Sequence, residues 1–258
     1  MLFLLDYEEE FDFITKDSLI VKQVIDNTQG VHSYKIMCCH DFYAEDLVAL
    51  KDKEDFPTEY IDAIPVGSIQ FTEAYLKIFH NIEHEPPIEI PKALQEVDFL
   101  KRKYFECGFD SLPKTGNFFV KDISHQKQFT FIGNIENITD AIDFDPAHKF
   151  QVSEILDILS EYRIYVINGE IVNIVRYKGD VTVFPKVEFI KNVINKYSTI
   201  KEHYNSYSFD IMITTRGEAL IEIHSFLSLG LYSNCWDNKL LLGYIEGINK
   251  LKSKNQFF

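Results

Sequence analysis

Two acidic residues on consecutive predicted strands are the side chains of this sequence best suited to chemistry. Residues 208–230, SFDIMITTRGEALIEIHSFLSLG, form two apolar stretches around a Thr-Arg-Gly turn. Each stretch carries a carboxylate, Asp210 or Glu222, where an apolar residue is expected. An unpaired buried charge is costly, so such acids need a partner. A divalent cation is the usual one, and carboxylate oxygens suit magnesium.

The length of the turn decides whether the two acids share a face. A two-residue loop would put them on different faces of the hairpin. A three-residue loop, Thr215-Arg216-Gly217 with its glycine in the left-handed region, places Asp210 opposite Glu222 with Cβ atoms about 5 Å apart. His224 would then share that face, two residues further on. The alternative is a sheet with one solvent-facing side, where both acids face water, and the segment alone favours neither interpretation.

A second hairpin carries a cluster of charge. Asn168-Gly169 between two alternating stretches predicts a type I′ turn, because both central residues tolerate positive φ. A two-residue turn pairs Glu161 with Arg176 and puts Arg163 on the same face. Two arginines oriented by one acid can bind a phosphate, whereas the alternative is an exposed cross-strand ion pair worth about 0–1 kcal/mol.

Two lysines bracket a short loop between predicted strands. Lys121 ends one apolar stretch, and Lys127 begins the next. Both could reach the phosphates of one nucleotide, or could extend into solvent. His80 and His84 have the i, i+4 spacing of helical metal ligands, but the prolines that follow and the missing acid do not favour a metal site there.

The composition restricts the class of protein. The 258 residues are 46% hydrophobic and 14% aromatic, which is typical of a globular chain, and no apolar stretch approaches the ~20 residues of a membrane span. A net charge of −14 argues against a nucleic-acid partner. The four cysteines form no CxxC pair, which predicts free thiols in a cytoplasmic protein. Neither a phosphate-binding P-loop nor a dinucleotide motif is present.

The predicted elements indicate an α+β protein. Helices are expected at Phe71–His80 with Thr72 as its cap, Leu94–Phe105, Val187–Tyr197 and Asp237–Lys250. Strands are expected at Leu2–Leu5, Tyr34–Cys39, Asn117–Lys121, Gln128–Gly133, Glu161–Ile167 and Glu170–Tyr177, besides the first hairpin. His84-Glu85-Pro86-Pro87 cannot lie inside a helix and is interpreted as a linker.

In their order and spacing, these segments resemble the ATP-grasp superfamily, and within it the phage and bacterial clade named for one arginine and two lysines. The resemblance runs from about Pro65 to about Lys250. The segments that carry it are PVGSIQF at 65–71, FLKR at 99–102, FFVK at 118–121, KQFT at 127–130, SEYRIYV at 160–166, SFD at 208–210, LIEIH at 220–224 and SLGLY at 228–232.

The resemblance implies the ATP-grasp fold, in which two α+β subdomains hold a nucleotide. Residues 1–85 would be a small N-terminal α/β lobe, and residues 90–258 the ATP-grasp domain, with subdomains at approximately 90–150 and 151–258. Each site residue has an implied role. The resemblance implies that Arg102, Lys121, Lys127 and Arg163 face phosphates and that Ser153, Glu154 and Ile155 form the hinge that reads adenine. Glu161 would belong to the same cofactor-binding set. The catalytic residues implied are Arg163, Lys127 and Arg176, and the Mg²⁺ ligands implied are Asp210, Glu222 and His224. His224 departs from the family pattern, in which asparagine is usual.

The activity implied is that of an ATP-dependent carboxylate–amine ligase that works through an acyl phosphate, with unknown carboxylate and amine substrates. Two alternatives stay open. One is a nucleotide-binding assembly factor without turnover, similar to the eukaryotic cell-division-cycle ATP-grasp protein that assembles a translation initiation factor. The other is a small-molecule phosphotransferase on the same scaffold. The sequence contains no feature from which the oligomeric state or the substrates follow.

Overall fold

The computed structural model describes residues 1–43, 58–82, 89–123, 130–134, 149–227 and 229–255. Within these residues the chain folds into three four-stranded sheets with helices packed against them. Each sheet collects the strands of one stretch of the chain, so the three sheets follow one another along the sequence.

The first sheet is mainly parallel and centres on β1. β1 pairs in parallel with β3 on one side and β4 on the other, and β2 adds an antiparallel segment at its end. The strands of this sheet are β1 (Leu2–Glu8), β2 (Phe13–Ile14), β3 (Ser33–Met37) and β4 (Ile64–Val66), and its helices are α1 (Lys16–Asp26), α2 (Cys39–Tyr43) and α3 (Ile69–His80). The central residues of β1 are fully buried apolar side chains, as a strand covered on both faces requires.

The second sheet is antiparallel, with the strand order β5-β8-β6-β7. Its strands are β5 (Tyr104–Gly108), β6 (Phe118–Asp122), β7 (Thr130–Gly133) and β8 (Lys149–Ser153). Val120 and Val152 pair across its centre and belong to a small core of their own. The expected strand Gln128–Gly133 is confirmed from Thr130 onwards, and its first two residues lie outside the described part of the chain.

The third sheet is also antiparallel, with the order β10-β9-β11-β12. Its strands are β9 (Ile158–Ile167), β10 (Glu170–Gly179), β11 (Tyr207–Thr214) and β12 (Gly217–Ser225), and the helix α5 (Val187–Ser198) covers one face. Asn168 and Gly169 both have positive φ, 53° and 77°, which confirms the predicted type I′ geometry. Because β9 lies next to β11, the sheet places two hairpins distant in sequence side by side.

One apolar core joins the first sheet to the end of the chain. The helix α6 (Lys239–Asn255) contributes Leu240, Tyr244 and Ile248 to the same cluster as Phe3 and Leu5 of β1. Gly243 lets this helix pack on the ring of Phe226, where a Cβ would lie 2.5 Å from a ring carbon. Among the described residues, no helix combines the length and the apolar character needed to cross a membrane.

Three of the four predicted helices are confirmed, with shifted ends. α3 begins at Ile69 and is capped by Ser68, whose Oγ accepts a hydrogen bond from the Phe71 N–H at 3.2 Å. The expected cap Thr72 is wrong, because it lies inside the helix. The predicted linker at residues 84–87 lies outside the described part of the chain.

The fourth predicted helix, Leu94–Phe105, is wrong. A 3-10 turn at Lys92–Leu94 and the short helix α4 (Val97–Leu100) occupy its first half, and β5 begins at Tyr104. Lys101 ends α4 with a left-handed φ of 52°, a conformation that a continuing helix does not allow. Residues 104–107 belong to β5, which pairs with β8. This long-range strand pairing outweighs the helical spacing of the apolar residues.

Candidate functional site

Asp210 and Glu222 face each other across β11 and β12. The predicted pairing of the two acids is therefore confirmed. His224 pairs with Ser208, two residues along the same strands, and its ring lies on the same side as the two carboxylates. The oxygen and nitrogen atoms that the three side chains can offer to a cation all lie within 4.8 Å of one another.

The route to this pairing differs from the predicted one. Thr214 pairs with Gly217, so the loop has two residues rather than three. Gly217 still has a positive φ of 107°, as the prediction required. A register shift between Asp210 and Ile211 supplies the missing residue. Such a bulge sets two residues of one strand against one of its partner and restores the common face.

Asp210 is buried and held by an arginine of the neighbouring strand. It pairs with Arg163 of β9, whose Nε donates to Oδ1 at 2.7 Å and whose Nη2 donates to Oδ2 at 2.8 Å. This bidentate geometry is the strongest form of an arginine–carboxylate pair. Burial raises the pKa of Asp210, but the hydrogen bonds from Arg163 and His224 outweigh burial and hold that pKa below its ordinary value. The carboxylate is therefore charged.

Glu222 connects the second and third sheets. Its Oε2 lies 2.5 Å from Nζ of Lys121, which belongs to β6. Both side chains are about 15% exposed, so the pair is sheltered yet accessible from the cleft described below. A lysine ammonium is a compact point charge that can exchange one anionic partner for another. Lys121, which was predicted to bind phosphate, therefore contacts Glu222, which was predicted to bind a metal ion.

His224 completes the acidic cluster. Its Nε2 lies 3.1 Å from Oε1 of Glu222 and 3.7 Å from Oδ2 of Asp210, and also 3.1 Å from Nη2 of Arg163. Burial lowers the pKa of His224, but the hydrogen bonds to the two carboxylates outweigh burial and raise that pKa above its ordinary value. The two acids thus favour a positive charge at this point, from a proton or from another cation.

The predicted partner of Glu161 is wrong. β10 contains register shifts on both sides of the stretch 173–176, so Lys178 pairs with Glu161 and Arg176 pairs with Tyr162. Nζ of Lys178 lies 2.9 Å from Oε1 of Glu161, and both residues line the cleft. Nη1 of Arg176 instead donates to the Gly179 carbonyl oxygen at 2.7 Å. A shift of one residue moves a side chain to the other face of a sheet.

Arg102 is buried at the contact between α4 and β12. Its Nη1 donates to the carbonyl oxygens of Leu220 at 2.7 Å and Leu100 at 3.2 Å. Burial lowers the pKa of Arg102 to about 10, so the guanidinium still carries its charge at neutral pH. Arg102 also borders the cleft, where this charge can face an anion.

A cleft of about 350 Å³ lies between the second and third sheets. Charged and apolar side chains line it together. The charged ones are Arg102, Lys121, Glu154, Glu161, Lys178 and Glu222, and the large apolar ones are Phe119, Ile132, Ile155, Leu156, Ile158, Met212 and Ile221. A ligand that combines an apolar ring with anionic groups fits such a lining.

The predicted hinge residues border the same cleft. Ser153 ends β8, and Glu154 and Ile155 follow it. The N–H of Glu154 donates to the carbonyl oxygen of Lys103 at 3.0 Å, and its Oε1 accepts a hydrogen bond from Arg216 at 2.7 Å. The first contact joins the segment to the residue before β5, and the second joins it to the turn between β11 and β12. Lys127, the second predicted phosphate lysine, lies outside the described residues.

A family comparison identifies this arrangement. The model that matches describes an ATP-grasp domain, the second family of the clade named for one arginine and two lysines, and it covers residues 99–240, more than half of the chain. The chain belongs to this ATP-grasp family. The match includes Arg102, Lys121, Asp210 and Glu222.

Solved structures agree on the ATP-grasp fold. D-alanine–D-alanine ligase from Bacillus anthracis has a TM-score of 0.56 at 10% identity, with 98% of each chain covered. N5-carboxyaminoimidazole synthetase from Staphylococcus aureus has a TM-score of 0.53 at 11% identity, with 95% of this chain and 77% of that chain covered. A RimK-domain ATP-grasp protein from Sphaerobacter thermophilus has a TM-score of 0.52 at 10% identity, with 98% of each chain covered. A comparison with curated proteins gave no match.

ATP-grasp ligases use Mg²⁺, and the donor atoms of the acidic cluster fit a divalent cation. Two atoms that each lie ~2.1 Å from one octahedral ion, at right angles to each other, are about 3 Å apart. Oε1 of Glu222 and Nε2 of His224 are 3.1 Å apart, which matches this spacing. Two carboxylates satisfy the preference of magnesium for oxygen, and the imidazole is the one donor that better suits a transition metal.

Two residues of this candidate site were not predicted from the sequence. The hydroxyl of Tyr177 donates to Oδ2 of Asp210 at 3.3 Å, and Lys178 takes the place expected for Arg176. The register of β10 shifts between Ile171 and Asn173 and again between Arg176 and Lys178. A prediction that assumes one constant register along the hairpin therefore assigns the wrong partners to this end of β10. The side chain of Arg163 was identified, but its pairing with Asp210 depends on β9 lying next to β11, and no local pattern encodes that order.

Proposed function

We propose that the chain is an ATP-dependent carboxylate–amine ligase that forms a C–N bond through an acyl phosphate. The observation that carries this proposal is the acidic pair Asp210 and Glu222, which lies beside the cations Arg163 and Lys121. Glu222 and Lys121 line the cleft between the second and third sheets, and Asp210 is buried behind them. Membership of the ATP-grasp family supports it, since ligases of this fold use ATP and Mg²⁺. The substrates would be ATP, a carboxylate and an amine.

ATP would occupy the cleft of about 350 Å³. The apolar side chains around Ile155 would cover the adenine ring, and the backbone of Ser153, Glu154 and Ile155 would supply hydrogen bonds to its edge. Arg102 and Lys121, together with Lys127, would neutralise the phosphate oxygens. This assignment places the base near the end of β8 and the phosphates towards β12.

Asp210 and Glu222 would hold Mg²⁺ with His224 beside them, and the bound ion would add positive charge at the phosphate oxygens. Arg163 keeps the Asp210 carboxylate oriented through its bidentate contact. Lys121 would leave Glu222 for a phosphate oxygen, because an ammonium and a metal ion cannot both occupy the same face of one carboxylate.

The chemistry would proceed in two displacements. A carboxylate oxygen of the first substrate attacks the γ-phosphorus of ATP, the bond to the β-phosphate oxygen breaks, and ADP leaves. The amine of the second substrate attacks the acyl carbon, phosphate leaves with the former carboxylate oxygen, and the amine loses a proton. No covalent bond to the protein is needed, and the charges of Lys121 and Arg163 stabilise the transferred phosphoryl group.

We further propose that residues 1–85 form an N-terminal lobe and that residues 90–258 form the ATP-grasp domain, with subdomains at approximately 90–150 and 151–258. The second and third sheets, which lie on the two sides of the cleft, support the division within the domain. The shared core of α6 with β1 supports a fixed position for the lobe. The four free cysteines favour a cytoplasmic location, and the net charge disfavours nucleic acid as a partner.

Transfer of isotopic oxygen tests the ligase directly. Pools of carboxylates, with hydroxylamine as a general amine, are screened for ADP release in the presence of Mg-ATP. The active carboxylate is then labelled with ¹⁸O, and the phosphate produced is measured by ³¹P NMR. The proposal expects one labelled oxygen in each phosphate and no ADP release by Lys121→Ala or Glu222→Ala. Lys114→Ala, an exposed lysine of the same region, is the matched control and should keep its activity.

The other outcomes identify the alternatives. ATP binding without ADP release for any carboxylate would favour an assembly factor, and a stable phosphoester without hydroxamate would favour a phosphotransferase. Full activity of Lys121→Ala and Glu222→Ala would contradict the roles assigned to these residues.

A further inference from the structure

A second group of side chains of the types that bind metal ions lies beside the first sheet, after β1 and β3, and none of its members lines the cleft proposed for ATP. Glu9, Cys38 and His40 each offer one donor atom, and these atoms all lie within 4.8 Å of one another. The sulfur, nitrogen and oxygen donors differ in kind from the oxygen-rich set at Asp210. This group does not take part in the proposed ligase chemistry.

The fold brings the three residues together at one edge of the sheet. β1 and β3 run in parallel, so the residues that follow them meet at their carboxyl ends. Glu9 comes directly after β1, and Cys38 lies between β3 and α2. The Cys38 N–H donates to Oδ2 of Asp41 at 2.7 Å, and the Asp41 N–H donates to the Cys38 carbonyl oxygen at 3.1 Å, which fixes the turn. Ligands of open parallel sheets bind at this edge.

The distances fit one tetrahedral ion better than they fit direct contacts. Sγ of Cys38 lies 3.9 Å from Oε2 of Glu9, and Nδ1 of His40 lies 3.6 Å from the same oxygen. The second distance is too long for a hydrogen bond. Zinc bonds of ~2.3 Å to sulfur and ~2.1 Å to nitrogen or oxygen put the sulfur and oxygen about 3.6 Å apart and the nitrogen and oxygen about 3.4 Å apart. These two distances would each shorten by a few tenths of an ångström around zinc, and the sulfur and nitrogen atoms already lie within 4.8 Å of each other.

We propose that Glu9, Cys38 and His40 bind zinc or a similar borderline divalent cation. Thiolate, imidazole and carboxylate are zinc ligands, and three of them leave the fourth tetrahedral position to water or an anionic ligand. Glu9 and His40 are 69% and 84% exposed, so an ion can enter from solvent without unfolding of the sheet. The neighbouring Cys39 packs against the apolar core instead, which leaves Cys38 as the sulfur ligand.

Cobalt(II) titration of the reduced full-length protein tests this site. A sulfur ligand gives a near-ultraviolet thiolate-to-cobalt charge-transfer band, and the cluster at Asp210 has no sulfur, so the band distinguishes a cysteine site from that cluster. The cysteine variants then assign the band to Cys38 or to another of the four free cysteines. The wild type should develop the band with one equivalent of cobalt and lose it on addition of zinc. Cys39→Ser should keep the band, whereas Cys38→Ser should lack it.

Glu9 and His40 are exposed, so we expect their substitution to leave the fold intact. Glu9→Gln and His40→Gln should each weaken cobalt binding by roughly tenfold or more, because removal of a ligand costs at least as much as removal of a supporting hydrogen bond. Circular dichroism checks that each variant keeps its secondary structure. A wild type without the band, or an unchanged band in Cys38→Ser, would overturn the proposal. The ATP-dependent activity does not enter either readout, so this site and the ligase can fail separately.

Discussion

Nζ of Lys121 lies 2.5 Å from Oε2 of Glu222, although the two residues belong to different sheets and are 101 positions apart. Both side chains line the cleft between the second and third sheets, and the proposed function assigns Lys121 to the phosphates and Glu222 to the metal ion. Each side chain neutralises the charge of the other. Under the proposed function, Mg-ATP would give Lys121 a phosphate partner and Glu222 a metal ion. Binding of the nucleotide would then break a contact that joins the second sheet to the third.

Asp210→Asn should strongly destabilise the protein, because it leaves the buried guanidinium of Arg163 without its carboxylate. Both side chains are less than a tenth exposed. Loss of one partner of such a pair costs about 3–5 kcal/mol of unfolding free energy. Urea denaturation measures the effect. Glu170→Gln, which breaks the exposed pair with Lys239, is the matched acid-to-amide control and should change stability little. Equal stability of the two variants would contradict the assigned role of the buried pair.

His224→Asn should change the ligands of the metal ion. We expect Mn²⁺ bound with a non-hydrolysable ATP analogue to show coupling to an imidazole nitrogen in pulsed electron paramagnetic resonance, because Nε2 of His224 lies 3.1 Å from Glu222. The asparagine variant should bind Mn²⁺ through oxygen and lose the coupling. Both proteins carry His40→Gln, so the second cluster cannot contribute nitrogen. Identical spectra would exclude His224 as a ligand.

Lys178→Ala and Arg176→Ala should differ in their effect on ATP binding. Lys178 lines the cleft and contacts Glu161, whereas the guanidinium of Arg176 contacts the Gly179 carbonyl oxygen. We expect calorimetry to show weaker Mg-ATP binding by Lys178→Ala and unchanged binding by Arg176→Ala. Weaker binding by Arg176→Ala with unchanged binding by Lys178→Ala would contradict the pairing of Lys178 with Glu161 and would support the pairing of Arg176 with Glu161.

Stability should fall between pH 6.5 and pH 4, in part because of His80. Burial and the nearby Lys252 lower the pKa of His80 to about 4, and its Nε2 lies 3.2 Å from Oη of Tyr75. The unfolded chain, with an ordinary histidine pKa of ~6.5, binds the proton more readily over this range, so acid favours unfolding. The contribution is fully present above the unfolded value. His80→Gln should therefore lose less stability across this window in urea denaturation, and parallel pH curves would contradict the assignment.

Local patterns predicted most of the elements, since strands, hairpin turns and amphipathic helices depend on neighbouring residues. The segment Leu94–Phe105 failed because its apolar residues serve the pairing of β5 with β8, a contact that local spacing does not encode. The sequence correctly predicted that Asp210 and Glu222 lie opposite each other, but the prediction relied on a loop of three residues. The chain uses a two-residue turn and a bulge, which give the same register beyond the bulge.

The composition of the site was less predictable than its position. Arg163 meets Asp210 because β9 and β11 are neighbours, and Lys121 meets Glu222 because two sheets approach each other. Both contacts are set by the arrangement of whole sheets. The resemblance to ATP-grasp proteins predicted that these residues serve one nucleotide site, but it predicted neither of the two contacts.

The most direct test of the central claim is a crystal structure with a non-hydrolysable ATP analogue and Mg²⁺. The proposed function predicts a cation bound to the carboxylates of Asp210 and Glu222, the triphosphate in the cleft between the second and third sheets, and Nζ of Lys121 moved from Glu222 to a phosphate oxygen. An analogue bound elsewhere, or a filled cleft in which Lys121 still pairs with Glu222 and no cation contacts either acid, would contradict it.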